Sequence, residues 1–349
     1  MKNITIGHYT IGADNPPFII AEMSGNHGQS MEKAKALIDA AAGAGAHAVK
    51  FQTYTPDTIT LDVHENEFFI NDPDSLWEGN SLYNLYREAM TPWEWHAELF
   101  DYAQQKGLLA FSTPFDLSAV TFLETLNPPC YKIASFENID HALLAAVAKT
   151  GKPVIVSTGM ATQAELAEAV EVLKNNGCED LILLKCTSNY PARPVDANLR
   201  TIAHMSQLFD CQVGLSDHTP GVGVAVAAVA LGATVIEKHF VLDRNGGEVD
   251  AEFSLEPHEV KLLVEETERA AIALGRVTYG ATAKEQASKV HRRSLYIAQD
   301  MQAGDILTET NLRSVRPGLG LAPKYLPLLL GKPVKQAVTK GTAMSWDLI

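Results

Sequence analysis

The chain has 349 residues, of which 46% are hydrophobic and 20% charged, a balance that excludes general disorder. Its 28 Lys and Arg against 42 Asp and Glu give a net charge of −14 with no basic run. That argues against nucleic acid or an anionic membrane surface as partner, while a few local cations still permit a small anionic substrate.

Along the chain, short apolar runs alternate with amphipathic stretches of helical length. Strands are predicted at Phe18–Met23, Ala48–Gln52, Leu108–Ser112, Cys130–Ala134, Pro153–Ser157, Leu181–Cys186, Gln212–Leu215 and Thr234–His239. Helices are predicted between them, at Met31–Ala42, Pro92–Lys106, Leu117–Leu126, His141–Lys149, Gln163–Asn175 and Val222–Leu231, with Pro257–Leu274 closing the series. Gly107 and Gly151 stand where two helices should stop. About eight such units in about 275 residues predict a (β/α)₈ TIM barrel over 1–275. A doubly wound sheet is the competing architecture, but no G-x-G-x-x-G follows the first strand.

Residues 276–290 are polar and read as a linker. From 291 to 349 short strands, Ser294–Ala298 and Leu312–Val315, are broken by frequent Gly and Pro, which predicts a small β-rich domain. Such a unit is marginal alone and should dock on something. The insertion from Thr53 to Thr91 is long enough to suggest function, although Trp77, Tyr83 and Tyr86 within it read as local packing. Cys130, Cys178, Cys186 and Cys211 form no C-x-x-C pair, so buried thiols in a reducing cytoplasm are expected. The N-terminal residues lack the apolar core of a secretory signal. The apolar stretch Val222–Ile236 is too short to span a bilayer.

Barrel enzymes place their chemistry at the C-terminal strand ends, and here all eight ends are polar. Two groups emerge. Lys50 and Lys132, with the hydroxyls of Thr113, Ser135, Ser157, Ser188 and Ser216, suit a compact dianion. His218 and His239, on adjacent strand ends with Glu22, Asp217 and Asp250 nearby, suit Mn²⁺ or a similar ion with open positions. Plainer readings compete. A single lysine at a strand end is as readily an ordinary ion-pair partner, so Lys185 and Lys238 stay unassigned, and Ser157-Thr158-Gly159 reads equally well as a helix cap. Lys132 could instead form a Schiff base.

The motifs Ile20-Ala21-Glu22 with Asn26-His27, Lys50-Phe51-Gln52-Thr53, Ser112-Thr113-Pro114-Phe115 and Tyr131-Lys132-Ile133-Ala134-Ser135 occur in that order. They are followed by Ser157-Thr158-Gly159-Met160, Gly214-Leu215-Ser216-Asp217-His218 and Glu237-Lys238-His239-Phe240. Together they resemble the sialic-acid-type nonulosonate synthases, which condense phosphoenolpyruvate with an N-acetylated amino sugar. The C-terminal part, with Arg316-Pro317-Gly318, resembles that family's antifreeze-like (SAF) domain.

The resemblance implies phosphoenolpyruvate contacts from Lys50, Thr113, Lys132, Ser135, Ser157, Ser216 and either Ser188 or Asn189, with Tyr190 beside them on the substrate. It implies a divalent metal (Mn²⁺, Mg²⁺ or Co²⁺) on His218 and His239, and substrate or proton-handling roles for Glu22 and Gln52. Asp250 and Arg316 are assigned to the sugar, Arg316 reaching the partner's site in a homodimer with swapped C-terminal domains. The stretches Gln52–Thr58, Leu82–Tyr86, Thr91–His96, Ala134–Glu137 and Phe253–Leu255 resemble the branch whose product is pseudaminic acid. The N-acetylneuraminate and legionaminate branches, a Schiff-base aldolase and a non-catalytic sugar binder are the alternatives.

Overall fold

The computed structural model describes residues 1–73 and 75–349. The chain divides into two compact units, Met1–Gly275 and Arg276–Ile349. In the first, β1 (Ile4–Ile6) and β2 (Tyr9–Ile11) pair as an antiparallel hairpin. The strands β3 (Phe18–Glu22), β4 (Ala48–Thr53), β5 (Leu109–Pro114), β6 (Tyr131–Ile133), β7 (Val154–Ser157), β8 (Leu181–Cys186), β9 (Gln212–Asp217) and β10 (Val235–His239) follow. These eight form one sheet in the order β5-β4-β3-β10-β9-β8-β7-β6, every ladder parallel. β5 and β6 lie side by side without a ladder between them, so the barrel is nearly closed, with one seam.

Around it run α1 (Met31–Gly43), α2 (Pro56–Ile59), α3 (Leu82–Ala89), α4 (His96–Gln105), α5 (Leu117–Glu124), α6 (His141–Ala148), α7 (Gln163–Asn175), α8 (Arg200–Phe209), α9 (Gly223–Ala230) and α10 (Pro257–Leu274). Side-chain caps fix where several begin. Ser30, Asp116 and Asp140 accept backbone N–H groups at the starts of α1, α5 and α6. Thr162 and Glu165 form a capping box on α7. Gly107 and Gly151 take φ of +82° and +70°, the left-handed turn that ends a helix cheaply only at glycine. The helix predicted from Pro92 begins instead as a 3₁₀ turn, Trp93–Trp95, before α4.

Two apolar layers result. One lies between sheet and helices and includes Ile19, Val49, Phe51, Leu183 and Ile236. The other fills the barrel with Phe18, Ile20, Phe111, Ile155, Ile182, Leu184 and Val235. Ile4, Ile6 and Ile11 of the hairpin belong to this inner cluster, so the hairpin plugs the end where the strands begin. Apolar residues thus fill the lower barrel, and the polar residues next along the inner face of each strand gather at the other end.

The second unit pairs β11 (Ser294–Ile297) with β12 (Leu312–Val315) and carries a short α11 (Leu326–Leu329). Its own core contains Leu295, Ile297, Met301, Leu307, Leu312 and Val334. Residues 284–291, within the predicted linker and its end, form a 3₁₀ segment.

Candidate active site

The strand period of two decides which polar residues enter the barrel. On β10, Glu237 and His239 share the inner face, and Lys238 points outward. Lys238 is almost wholly buried there, donating to Asp217 Oδ2 at 2.9 Å and to the carbonyls of Thr219 and Gly221. Asp217 therefore does not join the histidine pair, contrary to the sequence expectation, because β9 turns it outward while Ser216 faces in. Asn26 and His27 are also pinned structurally, to Phe240 and Ser254 and to Thr91 respectively.

Inside the barrel, Lys50 Nζ ion-pairs with Glu22, donates to Thr113 Oγ1 at 3.1 Å and lies 4.0 Å from Glu237. Lys132 Nζ is 3.5 Å from the other oxygen of Glu237, which also accepts from Ser216 Oγ at 2.9 Å. Glu237 thus bridges the two lysines. The sequence reading saw it at a strand end but gave it no role, although it shares a face with His239, two residues on.

Four buried charges this close shift one another. Burial raises Glu22 to about 7 despite the nearby Lys50. Burial likewise opposes the charge on Lys50, but Glu22 and Glu237 more than offset it and hold its pKa up. Lys132 is lowered by burial, only partly countered by Glu237. Glu237 stays below the usual range because the lysines outweigh its burial.

Beside the lysines lies a hydroxyl cluster. Ser135 Oγ donates to Cys186 Sγ at 3.2 Å, and Ser188 Oγ is 3.9 Å from the same sulfur. Ser157 Oγ is buried without a partner. Gly159, with φ +50°, closes over the cluster, where a Cβ would lie 2.5 Å from Ser135 Cβ and 3.0 Å from Ser188 Oγ. Of the two adjoining candidates Ser188 joins the cluster, whereas Asn189 is exposed. Cys186 was not singled out in sequence. His218 and the Ser135 hydroxyl, against the effect of burial, lower its thiol to about 7.

The imidazoles meet where β9 and β10 end, their ring centroids 5.3 Å apart. His218 Nδ1–H donates to the Thr187 carbonyl at 2.9 Å, and although burial opposes its charge, Cys186 beside it more than offsets that and raises its pKa. His239 Nδ1 is buried without a hydrogen bond, 3.8 Å from Asp250 Oδ2. Burial, with the neighbouring cations, keeps His239 neutral. Two imidazoles side by side, once both are neutral, suit a divalent ion with open positions. No group of three or more His, Cys, Asp or Glu converges to close such a site among the described residues. Asp250 is tied to Ser24 Oγ, and Gln52 Nε2 donates to Ser24 Oγ at 3.1 Å and to Glu22 at 3.4 Å.

An aromatic wall completes the pocket. The Tyr190 ring lies 4.4 Å from His218 and 5.2 Å from Phe253, and the Trp77 ring 6.0 Å from Tyr190. Trp77 Nε1 donates to the Val249 carbonyl at 3.0 Å. It precedes α3 rather than sitting on it, so the expected local packing holds for Tyr86 against Tyr54 but not for Trp77. Glu137, two residues past Ser135, has a buried Oε2 without a partner, and burial raises it to about 7. Arg316 follows β12 in the second unit and is exposed.

Residues 37–279 match the NeuB family, and residues 292–349 match the SAF domain. The chain is 45% identical to a pseudaminic acid synthase of Campylobacter jejuni over 97% of this chain and 98% of that protein. It is 41% identical to the pseudaminic acid synthase of Helicobacter pylori over 95% and 97%. Among solved structures it resembles the N-acetylneuraminic acid (sialic acid) synthetase of Leptospira borgpetersenii, with a TM-score of 0.73 and 36% identity over 82% of this chain and 95% of that one. On the length of these matches, and on the barrel and C-terminal unit that carry them, the chain belongs to the NeuB family.

Proposed function

We propose that this chain condenses phosphoenolpyruvate with 2,4-diacetamido-2,4,6-trideoxy-L-altrose to give pseudaminic acid and inorganic phosphate. The observation that carries the reading is one buried, anion-sized cluster of two lysines and five hydroxyls beside a pair of imidazoles. The choice of sugar rests on the likeness to the two pseudaminic acid synthases, which exceeds that to the neuraminic acid synthetase.

In this scheme C3 of phosphoenolpyruvate attacks the aldehyde carbon of the open-chain sugar, and the former carbonyl oxygen gains a proton. Water adds to the cationic C2 and loses a proton. The C2 hydroxyl then passes its proton to the departing phosphate as the C2–O bond to phosphate breaks, leaving a keto acid. Lys50 and Lys132 bind the phosphate and carboxylate, with Thr113, Ser135, Ser157, Ser188 and Ser216 supplying oriented donors. Glu22, poised near neutrality and held by Gln52 and the Ser24 N–H, takes the proton from the water that adds at C2. Asp250, Tyr190 and Gln52 line the sugar side. A divalent ion (Mn²⁺, Mg²⁺ or Co²⁺) bound through His218 and His239 would supply Lewis-acid polarisation of the aldehyde oxygen. The reading extends to a cytoplasmic homodimer in which Arg316 serves the partner's sugar site. Mixing Arg316→Ala with Lys132→Ala chains should then restore activity on subunit exchange, and a dead mixture with exchange verified refutes the swap.

The deciding experiment is a product assay with phosphoenolpyruvate against a panel of acetamido sugars. Equal or better turnover of N-acetylmannosamine moves the chain to the neuraminate branch. A second reading, a Schiff-base aldolase on Lys132, is favoured by the lowered pKa of that amine. Borohydride trapping with pyruvate separates the two.

A further inference from the structure

β8 turns Cys186 into the barrel and Lys185 out of it, toward a cavity of about 350 Å³ at the barrel rim. Gly159, Met160, Ser188, Asn189 and Asp196 also line this cavity. Lys185 is half-buried and has no carboxylate partner among the described residues. Its ammonium touches only the Cys186 carbonyl at 2.7 Å and Thr187 Oγ1 at 3.4 Å. The one acid in the lining, Asp196, is held by Arg193 Nε at 2.9 Å. Every other lysine at the strand ends is committed: Lys50 and Lys132 to Glu22 and Glu237, Lys238 to Asp217.

The cavity adjoins the inner hydroxyl cluster. Ser188 and Cys186 belong to both, and Gly159 forms the thin partition, approaching Ser135 and Ser188 too closely for any side chain. The reactant in the proposed function carries up to three negative charges, whereas the inner lysines already face two carboxylates. An uncompensated cation at the rim supplies attraction that the interior lacks.

We propose that Lys185 and its cavity form an outer phosphate subsite through which the phosphate-bearing reactant enters and inorganic phosphate leaves. The inference rests on the proposed condensation for its substrate, and on the cavity and the unpaired ammonium for its place.

The test is Lys185→Gln, which keeps a donor for the Cys186 carbonyl and removes the charge, beside Lys185→Arg, which keeps both. For the Gln variant the KM for phosphoenolpyruvate and the inhibition constant of inorganic phosphate should each rise roughly fivefold, with kcat within about twofold. Added salt should weaken phosphoenolpyruvate binding by the wild type more steeply than by the Gln variant, and Arg should restore the wild-type values. Unchanged constants, or a loss confined to kcat, overturn the proposal. Should the wild type release no phosphate with any sugar, the functional reading fails instead. The subsite is then judged by titrating inorganic phosphate into wild type and Lys185→Gln, followed by phosphorus NMR, and equal binding overturns it.

Discussion

Among the described residues Glu237 is the sole carboxylate within 4.0 Å of both buried lysines, so Glu237→Gln tests the electrostatic account directly. The amide preserves shape and can still accept from Ser216, so packing changes little. What is lost is the negative charge facing two ammoniums that are 4% and 2% exposed. Removing one partner from a buried ionic group costs about 3–5 kcal/mol, because the remaining charge stays desolvated. Lys132, already lowered by burial, can release its proton, which moves the cost toward the lower end of that range. At roughly 2–4 °C per kcal/mol for a large domain, the melting temperature should fall by roughly 6–15 °C. Phosphoenolpyruvate or inorganic phosphate should then stabilise the variant more than the wild type, since the anion replaces the missing charge. Differential scanning fluorimetry with and without phosphate reads both effects. A variant as stable as wild type, or one gaining no more from the anion, would refute the reasoning that Glu237 compensates the lysines at rest.

Three further outcomes follow from particular contacts. Burial lowers His27 and His96 from 6.5 to about 4, and their neutral tautomers are fixed by contacts such as Thr53 O–H to His96 Nε2 at 2.8 Å. Stability from each is therefore complete above about pH 6.5 and is lost progressively as pH falls from there to about 4, by about 3 kcal/mol each, which urea melts at pH 7.5, 5.5 and 4.5 should show. Gly159→Ala should cost about 1–3 kcal/mol and more than a hundredfold in turnover, because its Cβ would strike Ser135; near-normal kinetics would mean that the hydroxyl cluster is not the anion site. Chelator-treated protein should be inactive, recover with Mn²⁺, and lose its Mn²⁺-dependent rise in melting temperature in either His218→Ala or His239→Ala; full activity of a verified metal-free sample counts against the imidazole site.

The barrel was legible because its strands are buried on both faces and stand out as apolar runs between capped helices. β11 and β12 were legible for a related reason, being bounded by Gly and Pro. The β1–β2 hairpin was not, since two three-residue strands carry no readable period. At the site, strand ends gave the right neighbourhood but not the right partners. Alternation along β10 distinguishes Glu237 from Lys238, yet it becomes decisive only once the inner face is known from Val235 in the barrel core. Trp77 and Val249 are 172 residues apart, and no local pattern announces their contact. Cys186 carried no signal of its own, since a cysteine ending an apolar strand ordinarily reads as core.

The same alternation explains why the site carries carboxylates that oppose its anionic substrate. Two ammoniums facing each other at the top of a dry barrel would be costly in the empty protein, and both would tend to lose their protons. Glu22 and Glu237 hold Lys50 charged, and Glu237 partly offsets the burial that lowers Lys132, before any ligand arrives. They do not do so equally. Glu237, between both lysines, remains an anion, whereas Glu22, with Lys50 the one lysine in contact among the described residues, lies near 7, where it can gain or lose a proton. A fixed anion and a titratable one, set by how many lysines each touches, give the pocket a permanent counter-charge and a movable proton. Glu22→Gln should therefore remove the proton exchange while sparing phosphate affinity, and Glu237→Gln should disturb stability and anion affinity together. If both variants failed in the same way, this division of labour would be wrong.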